Sequence, residues 1–422
     1  MTKHKVITTA LSPKARKEII REIDRRVRKN YVNLGGVDLD EWVRELESTA
    51  AGLSTGSVED FENGVRARLK YLKSSHTAFY HGFNSRFLPQ HTINATLKSI
   101  GSNGNERWMF LDVFPEGPAD QAGIRPGQTL LAIDGMSSLP PELPELPTGN
   151  TYRLLLSENG NGSSREVSLQ VPFRKGTRQR PPILEPKPVS HSVLHERIGL
   201  LRIPYFSGSA GMRFGAVLAS AIADLNRRHA DRLIIDLRGN IGGSLGFSIL
   251  ASYLCPDKRP IGYSVTPQSV RRGYDKEKLP RVPMPRSKPA LMLTLASFAF
   301  RDKSVVLLTQ GLGRQSFQGR IVVLVNEWTN SAGEMVAAFA KENGLATLVG
   351  VKTAGNVLGA ANFKLVEDYW LRLPIFGWIT WQGSCLEGSG VDPDVLISAD
   401  PELLAHGVDS QMNAAVEMLS GL

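Results

Sequence analysis

Two apolar runs, LIIDL at residues 233–237 and IVVLV at 321–325, are each followed by a polar, glycine- or serine-bearing turn and then by apolar residues at helical spacing. Short runs of this kind read as strands buried on both faces, and their alternation with helices predicts a sheet covered by helices. From about residue 190 onward the pattern persists: IGLLRIPYF as a strand, Met212 to Arg228 as a helix, LIIDL, Leu245 to Leu254 as a helix, then ALMLTLA, IVVLV and LATLVG. Residues 258–288 are rich in Arg, Lys and Pro and read as a long surface excursion.

The sharpest corner of this region is NEWTNSAGEMVAAFA, residues 326–340. Ser331 and Glu334 satisfy the S-x-x-E capping box, so Ser331 has a purely structural reading as a helix cap. A strand ending in a tight turn at a helix N-terminus is also where a nucleophilic serine is presented. The two readings are compatible, because one hydroxyl can lie exposed above the helix end.

Composition narrows the function classes. Of 422 residues, 41% are hydrophobic, enough for one sizeable core and smaller ones. The net charge of +9 is concentrated in residues 1–30, which hold ten Lys and Arg against three Asp and Glu. That segment reads as an amphipathic helix: Ser12 caps it, Pro13 suits its first turn, and Ala15, Ile19, Ile20, Ile23, Val27 and Tyr31 share a stripe. No stacking aromatics interleave with the charges, so no nucleic-acid partner is expected. No run approaches membrane-spanning length and no signal-like apolar core opens the chain, so no membrane partner and a cytoplasmic location are expected. Cys255 and Cys385 are the two cysteines and form no C-x-x-C or His cluster, so neither a disulfide framework nor a metal site nor a cofactor is expected.

Four segments are expected: a helical region over 1–88, a β-rich domain over 89–175, a linker over 176–194 and an α/β domain over 195–422. A third N-terminal helix is predicted from Ser57 to Leu72, where S-V-E-D forms a capping box, and it ends in KSSHTAFYH. WMFLDVF reads as a strand and TYRLLLSENGNGSSREVSLQVPF as a hairpin. RKGTRQRPPILEPKP, residues 174–188, reads as exposed linker.

The words GPADQAGIRPGQTLLAIDG, residues 117–135, resemble a PDZ domain. Where a PDZ domain places the helix walling its peptide groove, this chain has MSSLPPELPELPTGN, whose Pro140, Pro141, Pro144 and Pro147 oppose a helix.

Three further words, LIIDLRGNIGGS, NEWTNSAGE and LEGSGVDPDV, occur in this order with VGVKTAGN between the last two. Together with the helical N-terminus and the PDZ-like insert, they resemble the tail-specific, or C-terminal processing, serine peptidases and the related tricorn-core and retinoid-binding-protein-like branches. The resemblance covers most of the chain and implies a crotonase/ClpP-like α/β catalytic domain. It makes Ser331 the nucleophile, with the amides of Ala332 and of Gly242 or Gly243 as oxyanion donors. The processing-peptidase branch has a lysine base where this chain has Asn356, and Lys352 is the runner-up base. The tricorn-like branch instead implies His76 as general base, Ser75 holding it, and Glu387 orienting Ser75. The expected activity is acyl-enzyme hydrolysis of peptides or unfolded polypeptides. A non-catalytic peptide- or ligand-binding scaffold of the same fold is the alternative, an acyl-CoA enzyme a remote third, and a homo-oligomer is left open.

Overall fold

The computed structural model describes residues 11–52, 56–82, 88–158, 163–173, 184–207, 212–283 and 304–421. Helix α1 (Pro13–Asn30) begins where Ser12 Oγ accepts the Ala15 amide, and its stripe of Ile19, Ile20, Ile23 and Val27 is buried. These side chains pack on α2 (Leu39–Gly52) and α3 (Val58–Lys70), the latter opened by the reciprocal Ser57 and Asp60 box. Each fully buried aliphatic chain contributes about 1.5–3 kcal/mol. The Tyr31 hydroxyl donates to the Leu72 carbonyl at 2.6 Å, which fixes where the chain leaves α3 for the loop carrying Ser75 and His76.

Strand β1 (Ala78–His81) follows that loop. A small β domain comes next, with β2 (Ala95–Ile100), β3 (Arg107–Val113), β4 (Thr129–Ile133), β5 (Met136–Ser137), β6 (Asn150–Glu158) and β7 (Ser163–Val171). The sheet runs β2-β3-β4-β6-β7, antiparallel throughout, with β5 on β4. The proline-rich stretch after β5 holds no helix; its Leu146 is buried and the Trp108 indole donates to Glu142 O at 3.2 Å. Residues 174–183, which include the start of the expected linker over 176–194, lie outside the described residues. Its described end is not free, since the Leu184 amide donates to His91 O at 2.8 Å.

The main sheet contains β8 (Ser190–Val193), β9 (Ile198–Arg202), β10 (Arg232–Asp236), β14 (Arg320–Val325), β15 (Thr347–Gly350) and β18 (Val395–Leu396), in the order β18-β15-β14-β10-β9-β8. All neighbours are parallel except β8 on β9. The two-residue pleat explains the continuous apolar runs. Leu233, Ile235, Val323 and Val325 face one core with α4 (Met212–Arg227), α5 (Gly246–Leu254) and α6 (Ala332–Glu342). Ile234, Val322, Leu324 and Val349 face the other, with Ala415 and Leu419 of α7 (Ser410–Ser420).

A second sheet was only partly foreseeable. It consists of β11 (Pro260–Val265), β12 (Arg281–Pro283), β13 (Val305–Leu308), β16 (Gly359–Lys364) and β17 (Tyr369–Thr380) with β1, in the order β1-β17-β11-β13-β12 and with β16 on β17. The stretch 258–288 is therefore no simple surface excursion: Ile261, Tyr263 and Val265 of β11 are buried between β17 and β13. Flanking Arg and Pro residues obscured that alternation. The expected strand ALMLTLA, residues 290–296, falls outside the described residues. Among the described residues no helix is long and apolar enough to cross a membrane.

Candidate active site

The parallel strands β10 and β14 end at the same edge of the sheet, so the loops that follow them meet there, as ligand-handling loops do in open α/β sheets. After β14 the Asn326 amide donates to Thr329 Oγ1 (3.0 Å), and that hydroxyl donates to Leu237 O (2.9 Å). The Asn330 amide reaches Asn240 O at 2.8 Å. Ser331 then takes φ 53° and ψ −113°, a strained backbone for a residue with a side chain. Such a conformation costs on the order of 1–3 kcal/mol and persists only where its surroundings hold it.

Glu334 is what holds it. Its carboxylate is fully buried and accepts four hydrogen bonds, from the amides of Ser331 (3.0 Å), Gly355 (2.7 Å) and Asn356 (2.9 Å) and from Thr353 Oγ1 (2.6 Å). Burial pushes its pKa up, while those donors pull it down. The capping-box reading captured the Ser331 amide bond and missed the reach to the 353–356 loop, where the T-x-G word supplies the donors.

The glycines after β10 take separate roles. The Gly242 amide donates to Asn240 Oδ1 at 2.8 Å and is therefore spent, so Gly242 is corrected as an oxyanion donor. Its role is clearance: a Cβ on Gly242 would lie 2.7 Å from the Ser331 Cβ. Gly243 is exposed, and its amide takes no acceptor among the described residues. The amide of Ala332, the first residue of α6, is likewise free of an acceptor among them, at a helix end that favours negative charge. Gly243 and Ala332 are thus the amide pair available to an oxyanion.

On the other side, Ser75 Oγ donates to Glu387 Oε2 (3.0 Å) and its amide to Glu387 Oε1 (2.6 Å), across 312 residues of sequence. Ser75 Oγ also lies 2.7 Å from His76 Nδ1. With its only proton given to the carboxylate, the hydroxyl accepts from an Nδ1–H, which leaves the lone pair of His76 on Nε2. Burial, and then the charge of Arg372, lower the His76 pKa to about 4. Arg372 sits on β17 directly opposite Ala78, two residues past His76. The ring is therefore neutral, as a general base must be.

The 353–357 loop joins the two sides. The Asn356 side chain donates to Asn330 Oδ1 (2.7 Å), beside Ser331, and the next amide, Val357, donates to Glu387 Oε2 (2.9 Å). No hydrogen bond joins His76 to the Ser331 hydroxyl among the described residues. Lys352 points elsewhere: its ammonium is exposed and pairs with Asp392 at 3.3 Å, without the desolvation that a lysine base requires. Asn240, Asn326 and Thr353 are the braces that sequence reasoning passed over.

Residues 197–397 match the model of Peptidase family S41. A carboxyl-terminal-processing protease of Picosynechococcus sp. is 25% identical over 316 residues, which cover 73% of this chain and 65% of that protein. Tricorn protease homolog 1 of Streptomyces coelicolor is 23% identical over 71% of this chain and 24% of its own length. Among solved structures, a photosystem II D1 C-terminal processing protease superposes with TM-score 0.56 at 18% identity, covering 96% of this chain and 97% of that one. The chain spans just under two thirds of the length of the carboxyl-terminal-processing proteases it matches. The matched segment is just under half of the chain; over it the sequence is similar to peptidase family S41, and over most of its length to carboxyl-terminal-processing proteases, whose solved structures share its mixed α/β fold.

Proposed function

We propose that the chain is a serine endopeptidase that cleaves peptides or unfolded polypeptides through an acyl-enzyme, with Ser331 as nucleophile and His76 as base. The observation that carries this is the Glu387–Ser75–His76 chain, which leaves the neutral Nε2 of His76 as the proton acceptor. In the reaction Nε2 takes the proton of Ser331 Oγ as the oxygen attacks the peptide carbonyl. The amides of Gly243 and Ala332 hold the oxyanion, the imidazolium returns its proton to the leaving amine, and water releases the acyl group by the same route. Ser75 and Glu387 steady the imidazolium.

The same reading makes the α/β domain crotonase/ClpP-like, the small β domain a PDZ-like module without its groove helix, and the site of the tricorn-like rather than the lysine-dependent kind. The exposed ion pair of Lys352 supports that choice. A cytoplasmic location belongs to the same proposal. The test is turnover of an unstructured peptide with a free C-terminus, together with labelling by a serine-directed phosphonate. Wild type is expected to do both and Ser331→Ala neither. A wild-type protein that binds the peptide without cutting it or taking the label would favour the scaffold.

A further inference from the structure

The small β domain is plugged into the loops of the site by one buried carboxylate. Asp112, on β3, is 3% exposed; its Oδ2 accepts from Thr96 Oγ1 at 2.6 Å and from Asn326 Nδ2 at 2.9 Å. Asn326, 2% exposed, is the first residue after β14. Its Oδ1 accepts the amides of Gly239 (2.9 Å) and Trp328 (3.1 Å). One amide side chain therefore ties the loop that leads to Gly243 to the turn that ends in Ser331.

Asn326 by itself does not dictate which end of its amide points where, because NH2 and C=O have the same shape. Asp112 Oδ2 takes its two donors from Thr96 and Asn326, so it draws the NH2 toward itself and aims the oxygen at the two backbone amides; burial pushes the Asp112 pKa up, against the pull of the Arg238 and Arg202 charges. The contact is close-packed: a Cβ on Gly239 would lie 2.8 Å from the Phe114 ring and 3.1 Å from Asp112 Oδ2. Around it, the Trp328 indole donates to Leu97 O (3.1 Å) and Lys98 pairs with Glu327 (3.1 Å), both binding the serine turn to β2.

We propose that Asp112 is a positioning residue for the acyl-transfer step: through Asn326 it sets the distance between the Gly243 amide and the Ser331 hydroxyl, so that the β domain forms part of the catalytic framework. This rests on the peptidase reading. It is independent of whether the β domain binds peptide.

The test uses the full chain and compares wild type with Asp112→Ala and Asp112→Asn in kcat, KM, melting temperature and rate of phosphonate labelling. Misplacing reacting groups by about 1 Å costs on the order of 100-fold, so Asp112→Ala is expected to lose about that in kcat and in labelling, with KM within about two-fold. Asp112→Asn keeps one acceptor for Asn326 but turns an NH2 toward Arg202; it is expected to fall between, about three- to ten-fold down. A rise in KM alone, or a lower melting temperature with wild-type kcat and labelling, overturns the proposal. If Asp112→Ala does not fold, Asp112→Asn decides: reduced labelling at unchanged KM supports it, and wild-type labelling overturns it. Labelling without peptide turnover in wild type would sink the peptidase reading while leaving this comparison readable.

Discussion

The two sides of the site are built on opposite principles. The Ser331 side grows from a parallel sheet buried on both faces, and its strained backbone is braced by Glu334, Asn240 and Asn326, all at most 2% exposed. The His76 side is a loop between a helix and an edge strand, with Ser75 exposed, and it is tethered by the single carboxylate of Glu387. One half is preorganised by the fold. The other is positioned by a side chain that arrives from the far end of the sequence. Damage to the first half should therefore cost stability and activity together, and damage to the second should cost activity alone.

The largest expected effect follows from emptying the brace. Glu334→Ala leaves three amides and the Thr353 hydroxyl without their acceptor, and orphaned buried groups cost about 1–3 kcal/mol each before water or relaxation compensates. Several kcal/mol of destabilisation with loss of turnover is expected in denaturant melts and peptide assays; a variant that keeps wild-type stability would break the contrast. Glu387→Gln comes next. Its oxygens lie near the surface, so stability should hold within about 1 kcal/mol, while kcat falls by about 10² to 10⁴, the scale of general-base catalysis.

The smallest effect is a shift of the pH profile. Because His76 titrates near pH 4, the acid limb of kcat/KM should fall there, with activity gained as pH rises and the ring loses its proton. Arg372→Met removes a positive charge that opposes protonation. The His76 pKa should rise, moving the limb to higher pH and costing activity near pH 5 while leaving the plateau in place. A limb that stays put or moves down would show that the charge of Arg372 does not reach His76.

The contrast also explains what the sequence could tell. The Ser331 corner is written locally: IVVLV packs on both faces, and S-x-x-E with the following apolar spacing announces a helix start within a dozen residues. Strand β11 was hidden because its alternation is short and embedded in Arg and Pro, and β17 because its successive stretches meet different layers, Leu371 and Leu373 the helical core and Ile379 another. The His76 side was unreadable from local pattern and entered only through a family resemblance, since Ser75 and Glu387 are joined across 312 residues. The choice between Gly242 and Gly243 was likewise closed to sequence. It depends on which amide Asn240 consumes, and that is a matter of loop geometry.

The central claim is that His76, rather than Lys352, activates Ser331, and one comparison tests it: peptide turnover by His76→Ala and Lys352→Ala measured side by side across pH. The account predicts that His76→Ala loses at least about 10²-fold in kcat at every pH, while Lys352→Ala stays within about two-fold of wild type. Full turnover in His76→Ala, or its loss in Lys352→Ala with the fold intact, would contradict it.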